Sequence, residues 1–121
     1  ANSRTQKGDG TNAPVAMCHT VNPYIRPQTR RADILIFAAN QLNIIEASMV
    51  SAGTVVIDVG VERVKDSSRK RGYRLTGNVD FDRVKEKAAA ITPVPGGVGP
   101  MTITMLLFNT ILSAKRSAGF D

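Results

Sequence analysis

The sequence predicts an α/β fold built on a mostly parallel sheet with flanking helices, and three observations carry that expectation. Apolar stretches of strand length recur at Asp33–Ala39, Thr54–Val59 and Ala88–Thr92, with helix-compatible segments between them. That alternation is what a parallel sheet and its crossovers require. The first two stretches are apolar almost throughout rather than alternating, the pattern of strands covered on both faces. Residues Thr92–Thr102 read TPVPGGVGPMT and lead from the last of these strands into the strongest helical pattern in the chain.

Length and composition agree. The 121 residues suit one domain, and a chain of that size buries roughly 60–70% of the surface its unfolded form exposes. Hydrophobic residues at 42% and charged residues at 21% exclude a disordered tail or a collagen-like fibre. No apolar run is long enough to cross a bilayer, and no segment has signal-peptide character. The lone cysteine, Cys18, excludes a disulfide framework and points to a reducing compartment.

The elements follow in order. Residues 1–13 hold almost no large apolar side chain and include Gly8, Asp9, Gly10, Thr11 and Asn12, so an exposed loop is expected there. Pro14–Cys18 is a compact apolar run, a first short strand. His19–Pro27 carries two prolines and reads as irregular, with a short helix over Gln28–Arg31. Asp33–Ala39 is the second strand. Ile45–Ser51 suits a short helix ended by Gly53, and Thr54–Val59 is the third strand. A charged loop follows to Gly72, then a brief edge strand at Tyr73–Thr76. Asp80 is placed to cap a helix over Phe81–Lys87, with Asp82 in its positive first turn. Ala88–Thr92 forms the fourth strand. In the last helix Pro100 sits in the first turn, Met101, Met105, Phe108 and Leu112 mark one face, Lys115 and Arg116 face the negative end, and Gly119 ends the segment.

In such sheets ligands sit beyond the carboxyl ends of the strands, which directs attention to Cys18–Thr20, Ala38–Asn40, Asp58–Val61 and Thr92–Thr102. The Gly-Pro loop there can bring backbone close to a ligand, and the helix that follows offers free amides; a tight turn that binds nothing explains it equally well. Asp58 could meet a ribose hydroxyl or a water, or simply accept from nearby backbone amides. His19, the single histidine, reads as a hydrogen-bonded structural residue, and Cys18 as a small buried hydrophobe. No metal-ligand cluster is apparent. Gly8–Ala13 fits G-x-G-x-x-G/A literally, but it precedes a strand instead of following one, so it is rejected as a dinucleotide fingerprint. The net charge of +6 is concentrated at Arg63, Lys65, Arg69, Lys70, Arg71 and Arg74, against Glu62 and Asp66. This is most simply a solvated loop; with 5% aromatics and no Trp, stacking platforms for nucleic acid are scarce.

The segment TPVPGGVGPMT and the helix MTITMLLFNTILSAKR resemble a signature of the bifunctional methylenetetrahydrofolate dehydrogenase/cyclohydrolase family, and AMCHT (16–20), ADILIFAA (32–39), GTVVIDVGVE (53–62) and GNVDFDRVKEKAAAITPV (77–94) agree with it in order. The resemblance covers nearly everything after residue 13. It implies that residues 14–121 are the C-terminal part of a Rossmann-type domain binding NADP, or NAD. It implies oxidation of 5,10-methylenetetrahydrofolate to the methenyl form by hydride transfer to the cofactor, then hydrolysis to 10-formyltetrahydrofolate. By the same resemblance Thr20 lies near the adenosine ribose or its phosphate, and Ala39, Gly60, Val61 and Thr102 border the cofactor. Pro95, Gly96 and Gly99 face the folate. A homodimer through the cofactor domain is implied, in cytoplasm or mitochondrion, with no membrane or nucleic-acid partner.

Departures from the family pattern are Thr20 for its usual serine, Asn40 and Leu42 for its glycine and proline, and Asn78 for the first aspartate of Gly-Asp-Val-Asp. The family's N-terminal domain, with its catalytic lysine, is not recognisable, nor are the first Rossmann strand, its phosphate loop and its helix. The chain is therefore expected to be inactive alone. Two other classes stand beside this one: a non-catalytic nucleotide-binding or dimerising module, and a basic nucleic-acid-binding module motivated by charge alone.

Overall fold

A computed structural model describes residues 2–5, 13–39, 41–42 and 44–120. The Gly8–Asn12 segment and Asn40 lie outside the described residues.

Strand β1 (Asn2–Thr5) pairs antiparallel with β2 (Pro14–Met17), with Asn2 opposite Met17 and Thr5 opposite Pro14. Two expectations are corrected here. Residues 2–5 are strand rather than exposed loop, and β2 belongs to this ribbon rather than to the parallel sheet. The main chain of β2 finds its partners in β1, so its side chains gain no covering layer. Val15 and Met17 are exposed, and Cys18 is exposed too, not buried as the sequence suggests.

Helix α1 (Ile25–Arg31) begins three residues before the expected Gln28. Pro27 is its third residue, in the first turn where the missing N–H has no helical partner to lose. Asn22 prepares that start: its side chain accepts from the Tyr24 amide at 2.9 Å and its carbonyl from the Ile25 amide at 3.1 Å.

Strands β3 (Ile34–Phe37) and β4 (Val55–Asp58) pair in parallel, Ile34 beside Val55 and Phe37 beside Asp58. Between them the expected helix over Ile45–Ser51 shrinks to a 3₁₀ turn at Ala47–Met49. Ile45 is drawn instead into a parallel bridge with Val79. Its amide donates to the Asn78 carbonyl at 3.3 Å and its carbonyl accepts from the Asp80 amide at 3.0 Å, so its main chain is committed outside any helix.

The charged stretch is not a loop but a hairpin of β5 (Glu62–Lys65) and β6 (Tyr73–Thr76), Lys65 opposite Tyr73. Helix α2 (Phe81–Val84) follows Asp80 but stops three residues short of Lys87. Asp80 makes no side-chain cap, and its carboxylate lies 3.7 Å from Arg83 instead. Strand β7 (Ala90–Ile91) completes the parallel sheet in the order β3–β4–β7. Helix α3 (Val98–Ser117) carries Pro100 in its first turn, as expected, and the chain reverses at Gly119.

The core lies on one face of the sheet. Leu35 and Phe37 of β3 and Val56 of β4 meet Ile45, Met49, Val50, Val79 and Val84. The opposite face is not covered in the way that the apolar runs suggest: Ile34 and Ile36 are 61% and 65% exposed. Helix α3 runs beside this second face, where it shares a groove with Ile57, and none of its residues is buried.

Candidate functional site

The segments leaving β3 and β4 meet at the carboxyl ends of the strands. Ala38, Ala39, Val59, Gly60 and Val61 line an open hollow there. Among the described residues no charged side chain contributes to it. Its walls are main chain and small apolar groups, a surface that can lie against a flat ring. Ala39, Gly60 and Val61, three of the residues expected at a cofactor, thus come together.

Two buried polar side chains hold this edge in place. Asp58, at the end of β4, accepts from the Gly60 amide through one oxygen and from the Val79 amide through the other, each at 3.0 Å. This is the backbone-satisfied alternative of the two that the sequence left open. Asn78 is wholly buried. Its side-chain oxygen accepts from the Ala39 amide at 3.1 Å, and its nitrogen donates to the Gln41 carbonyl at 2.8 Å. Gly60 packs so closely on this carboxamide that a Cβ at Gly60 would collide with it.

A third segment, from β7 into α3, borders the groove between Ile57 and that helix. The Asp58 amide donates to the Thr92 hydroxyl at 2.9 Å, which ties the end of β7 to β4 through a side chain. The Val94–Pro95 peptide is cis, and Gly96 adopts φ +97°, a conformation that L side chains rarely take. A Cβ at Gly97 would meet the Pro93 carbonyl. Gly99 has no such neighbour: a Cβ there would enter open space. Thr102 lines the groove between Ile57 and α3, together with Thr92, Gly97 and Met101. Its hydroxyl donates to the Val98 carbonyl at 2.9 Å, which leaves its oxygen able to accept.

The expected residues therefore fall into four places. Ala39, Gly60 and Val61 share the hollow, and Thr102 lies in the neighbouring groove. Pro95, Gly96 and Gly99 lie on the exposed segment leading into and opening α3. Thr20 stands apart, half-buried in the turn after β2. His19 accepts from the Val21 amide through Nδ1 at 3.2 Å. Among the described residues no cluster of three or more His, Cys, Asp or Glu could hold a metal ion. The roles of Asn78 and Thr92 escape a reading by motif. Each acts through partners more than thirty residues away, and the only local trace is a polar residue inside an otherwise apolar junction.

Comparison with known proteins adds the family. Residues 5–118 match a family profile described as "Tetrahydrofolate dehydrogenase/cyclohydrolase, NAD(P)-binding domain". A "Bifunctional protein FolD" of Prosthecochloris aestuarii is 56% identical over 117 residues, which are 97% of this chain and 40% of that protein. "Bifunctional protein FolD 2" of Haloarcula marismortui is 53% identical over 121 residues, 100% of this chain and 40% of its own length. The chain thus spans about two-fifths of the curated relatives it matches. Among solved structures, a Trypanosoma brucei methylenetetrahydrofolate dehydrogenase-cyclohydrolase, complexed with NADP cofactor and inhibitor, superposes with TM-score 0.80 at 44% identity. That match covers 89% of this chain and 37% of the other. The Campylobacter jejuni bifunctional enzyme superposes with TM-score 0.77 at 45% identity, over 88% of this chain and 36% of the other.

Proposed function

This chain belongs to the tetrahydrofolate dehydrogenase/cyclohydrolase family, in the part that forms its NAD(P)-binding domain, and from that premise we propose that it supplies the cofactor site of a folate one-carbon enzyme. That enzyme oxidises 5,10-methylenetetrahydrofolate to the methenyl form with NADP and hydrolyses the product to 10-formyltetrahydrofolate. The observation that carries the reading is the uncharged hollow at the carboxyl ends of β3 and β4, together with the Pro-Gly segment that follows β7, the strand paired with β4.

The residues present fit a nicotinamide cofactor. The buried carboxylate beside the hollow, Asp58, has both oxygens engaged by amides and so is committed to the scaffold, not turned to a ligand. When bound, NADP takes up the hydride released from the folate's bridging methylene. Ala39, Gly60 and Val61 give the ring a flat wall, and Thr102 offers its hydroxyl oxygen to the same ligand. Thr20 reaches toward the ribose or its phosphate. Pro95, Gly96 and Gly99 hold the folate at the distance that the transfer needs, because the segment that bears them is fixed by its conformation and presents no side chain at Gly96 or Gly99. The catalytic acid–base groups belong to other parts of the enzyme, so this chain contributes position and not proton transfer.

Residues 14–121 form one cofactor-binding unit in this reading, and the enzyme works as a homodimer through it, in cytoplasm or mitochondrion. Among the described residues no helix is long and apolar enough to cross a membrane.

The test uses the protein at its full natural length. NADP and NAD are titrated by calorimetry, and turnover of methylenetetrahydrofolate is compared with that of Gly99→Val. Since nothing in the chain opposes a side chain at Gly99, the unfolding temperature is expected to hold while turnover falls about a hundredfold through misplacement of the folate. Wild-type turnover from the folded variant would overturn the assignment.

A further inference from the structure

We infer that Asn78 is the positioning residue of the cofactor hollow, and that it acts through both ends of its carboxamide. The inference rests on the reading of that hollow as the NADP site. The two walls of the hollow come from different segments, Ala38–Ala39 after β3 and Val59–Val61 after β4. Asn78 stands between them. On one side it bonds the β3 segment twice, accepting from the Ala39 amide and donating to the Gln41 carbonyl. On the other side Gly60 rests directly on the carboxamide. Both walls are therefore set against one carboxamide.

The mount beneath this spacer is stiff. The next residue, Val79, donates its amide to Asp58, and the Asn78 carbonyl accepts from Ile45. The main chain at residue 78 is thus tied to the end of β4 and to the segment after β3. The side chain is wholly buried, so water does not compete for its bonds.

The chemistry required is specific. Ala39 offers only an N–H and Gln41 only a carbonyl, so the partner must accept at one end and donate at the other. An aspartate, the residue that the family resemblance suggests here, would keep the Ala39 bond. It would then set a second acceptor against the Gln41 carbonyl, where the carboxamide nitrogen now lies at 2.8 Å. An alanine would leave both partners unbonded but would bring no charge into the gap. Hydrogen bonding therefore ranks Asp below Ala, whereas a role in filling space ranks Ala below Asp.

The experiment measures NADP dissociation constants for full-length wild type, Asn78→Asp, Asn78→Ala and Val61→Trp, with circular dichroism to establish folding at the assay temperature. Asn78→Asp is expected to weaken binding about a hundredfold and Asn78→Ala about tenfold, with the KM for NADP rising more than the KM for the folate. Val61→Trp obstructs the mouth of the hollow and is expected to weaken binding strongly. If Val61→Trp binds NADP as wild type does, the cofactor reading of the hollow falls. If Val61→Trp weakens binding and Asn78→Asp proves as good as wild type, or better than Asn78→Ala, only the positioning role falls. Should Asn78→Asp fail to fold, Asn78→Ala decides: wild-type affinity there overturns the inference.

Discussion

At the scale of single residues, Asp58 shows how a buried carboxylate can be engaged entirely by the backbone. Both oxygens are occupied by amides, one local at Gly60 and one distant at Val79. Replacing it with asparagine turns an NH₂ group toward one of two N–H donors, so Asp58→Asn is expected to cost about 1–3 kcal/mol, read from urea unfolding. Gly60→Ala drives a methyl group into the Asn78 carboxamide and is expected to cost about 1–3 kcal/mol by the same measurement. An unchanged midpoint in either variant would contradict the packing described. These residues were only partly legible in the sequence. Gly60 and Asp58 stood out because they follow an apolar strand, where sheets bind ligands. Their true partners did not, because Val79 and Asn78 lie eighteen or more positions further along and no short-range pattern links them. The Pro93–Gly99 segment was more legible, since proline and glycine constrain the backbone locally and carry that information in their own identity.

At the scale of elements, the β5–β6 hairpin rests on its turn. Asp66 accepts from both the hydroxyl and the amide of Ser68, at 2.6 and 3.0 Å, with Arg69 and Arg74 each 3.9 Å away. The hydroxyl bond of Ser68 first and its amide second hold the Asp66 carboxyl below its ordinary value of 3.8; desolvation opposes them, and Arg69 and Arg74 add lesser lowering effects. The folded value being the lower one, the stabilisation is complete above the ordinary value and fades as pH falls through the folded value. Ser68→Ala is expected to move the Asp66 titration upward in a carboxyl NMR series, and a titration that stays in place would refute the turn. The sequence predicted β6 and missed β5 for a physical reason. Glu62 and Val64 are only half-buried and alternate with exposed Arg63 and Lys65, so the strand has no apolar face to announce it. The opposite error occurred at β3. Its unbroken apolar run suggested burial on both faces, yet Ile34 and Ile36 face outward. An apolar run records what a face can be packed against; it does not supply the layer.

At the scale of the whole molecule, helix α3 leaves a run of large apolar side chains open. Met101, Ile103, Leu106, Leu107, Phe108 and Ile111 are each more than half exposed. Such a surface drives association, so the 121-residue chain studied alone is expected to sediment as a concentration-dependent mixture. The double variant Leu107→Lys, Phe108→Glu is expected to shift it toward monomer, and a wild-type chain that stays monomeric at every concentration would refute this. The α/β class, the parallel strands β3, β4 and β7 and the final helix followed from periodicity and spacing; their order in the sheet did not. The ribbon of β1 and β2 did not, because an apolar run such as Pro14–Cys18 does not encode which neighbour will pair with it. The distribution of the core has a further consequence, in time rather than in space. Every buried hydrophobic residue of the core lies between Leu35 and Val84, and Ile91 is the last partly buried one packed against it. Chains grow from the N-terminus at about 5–20 residues per second, so the residues of the scaffold are joined on the order of seconds before α3 is complete. The core can therefore collapse without waiting for α3, and that helix docks onto a formed surface instead of taking part in its collapse.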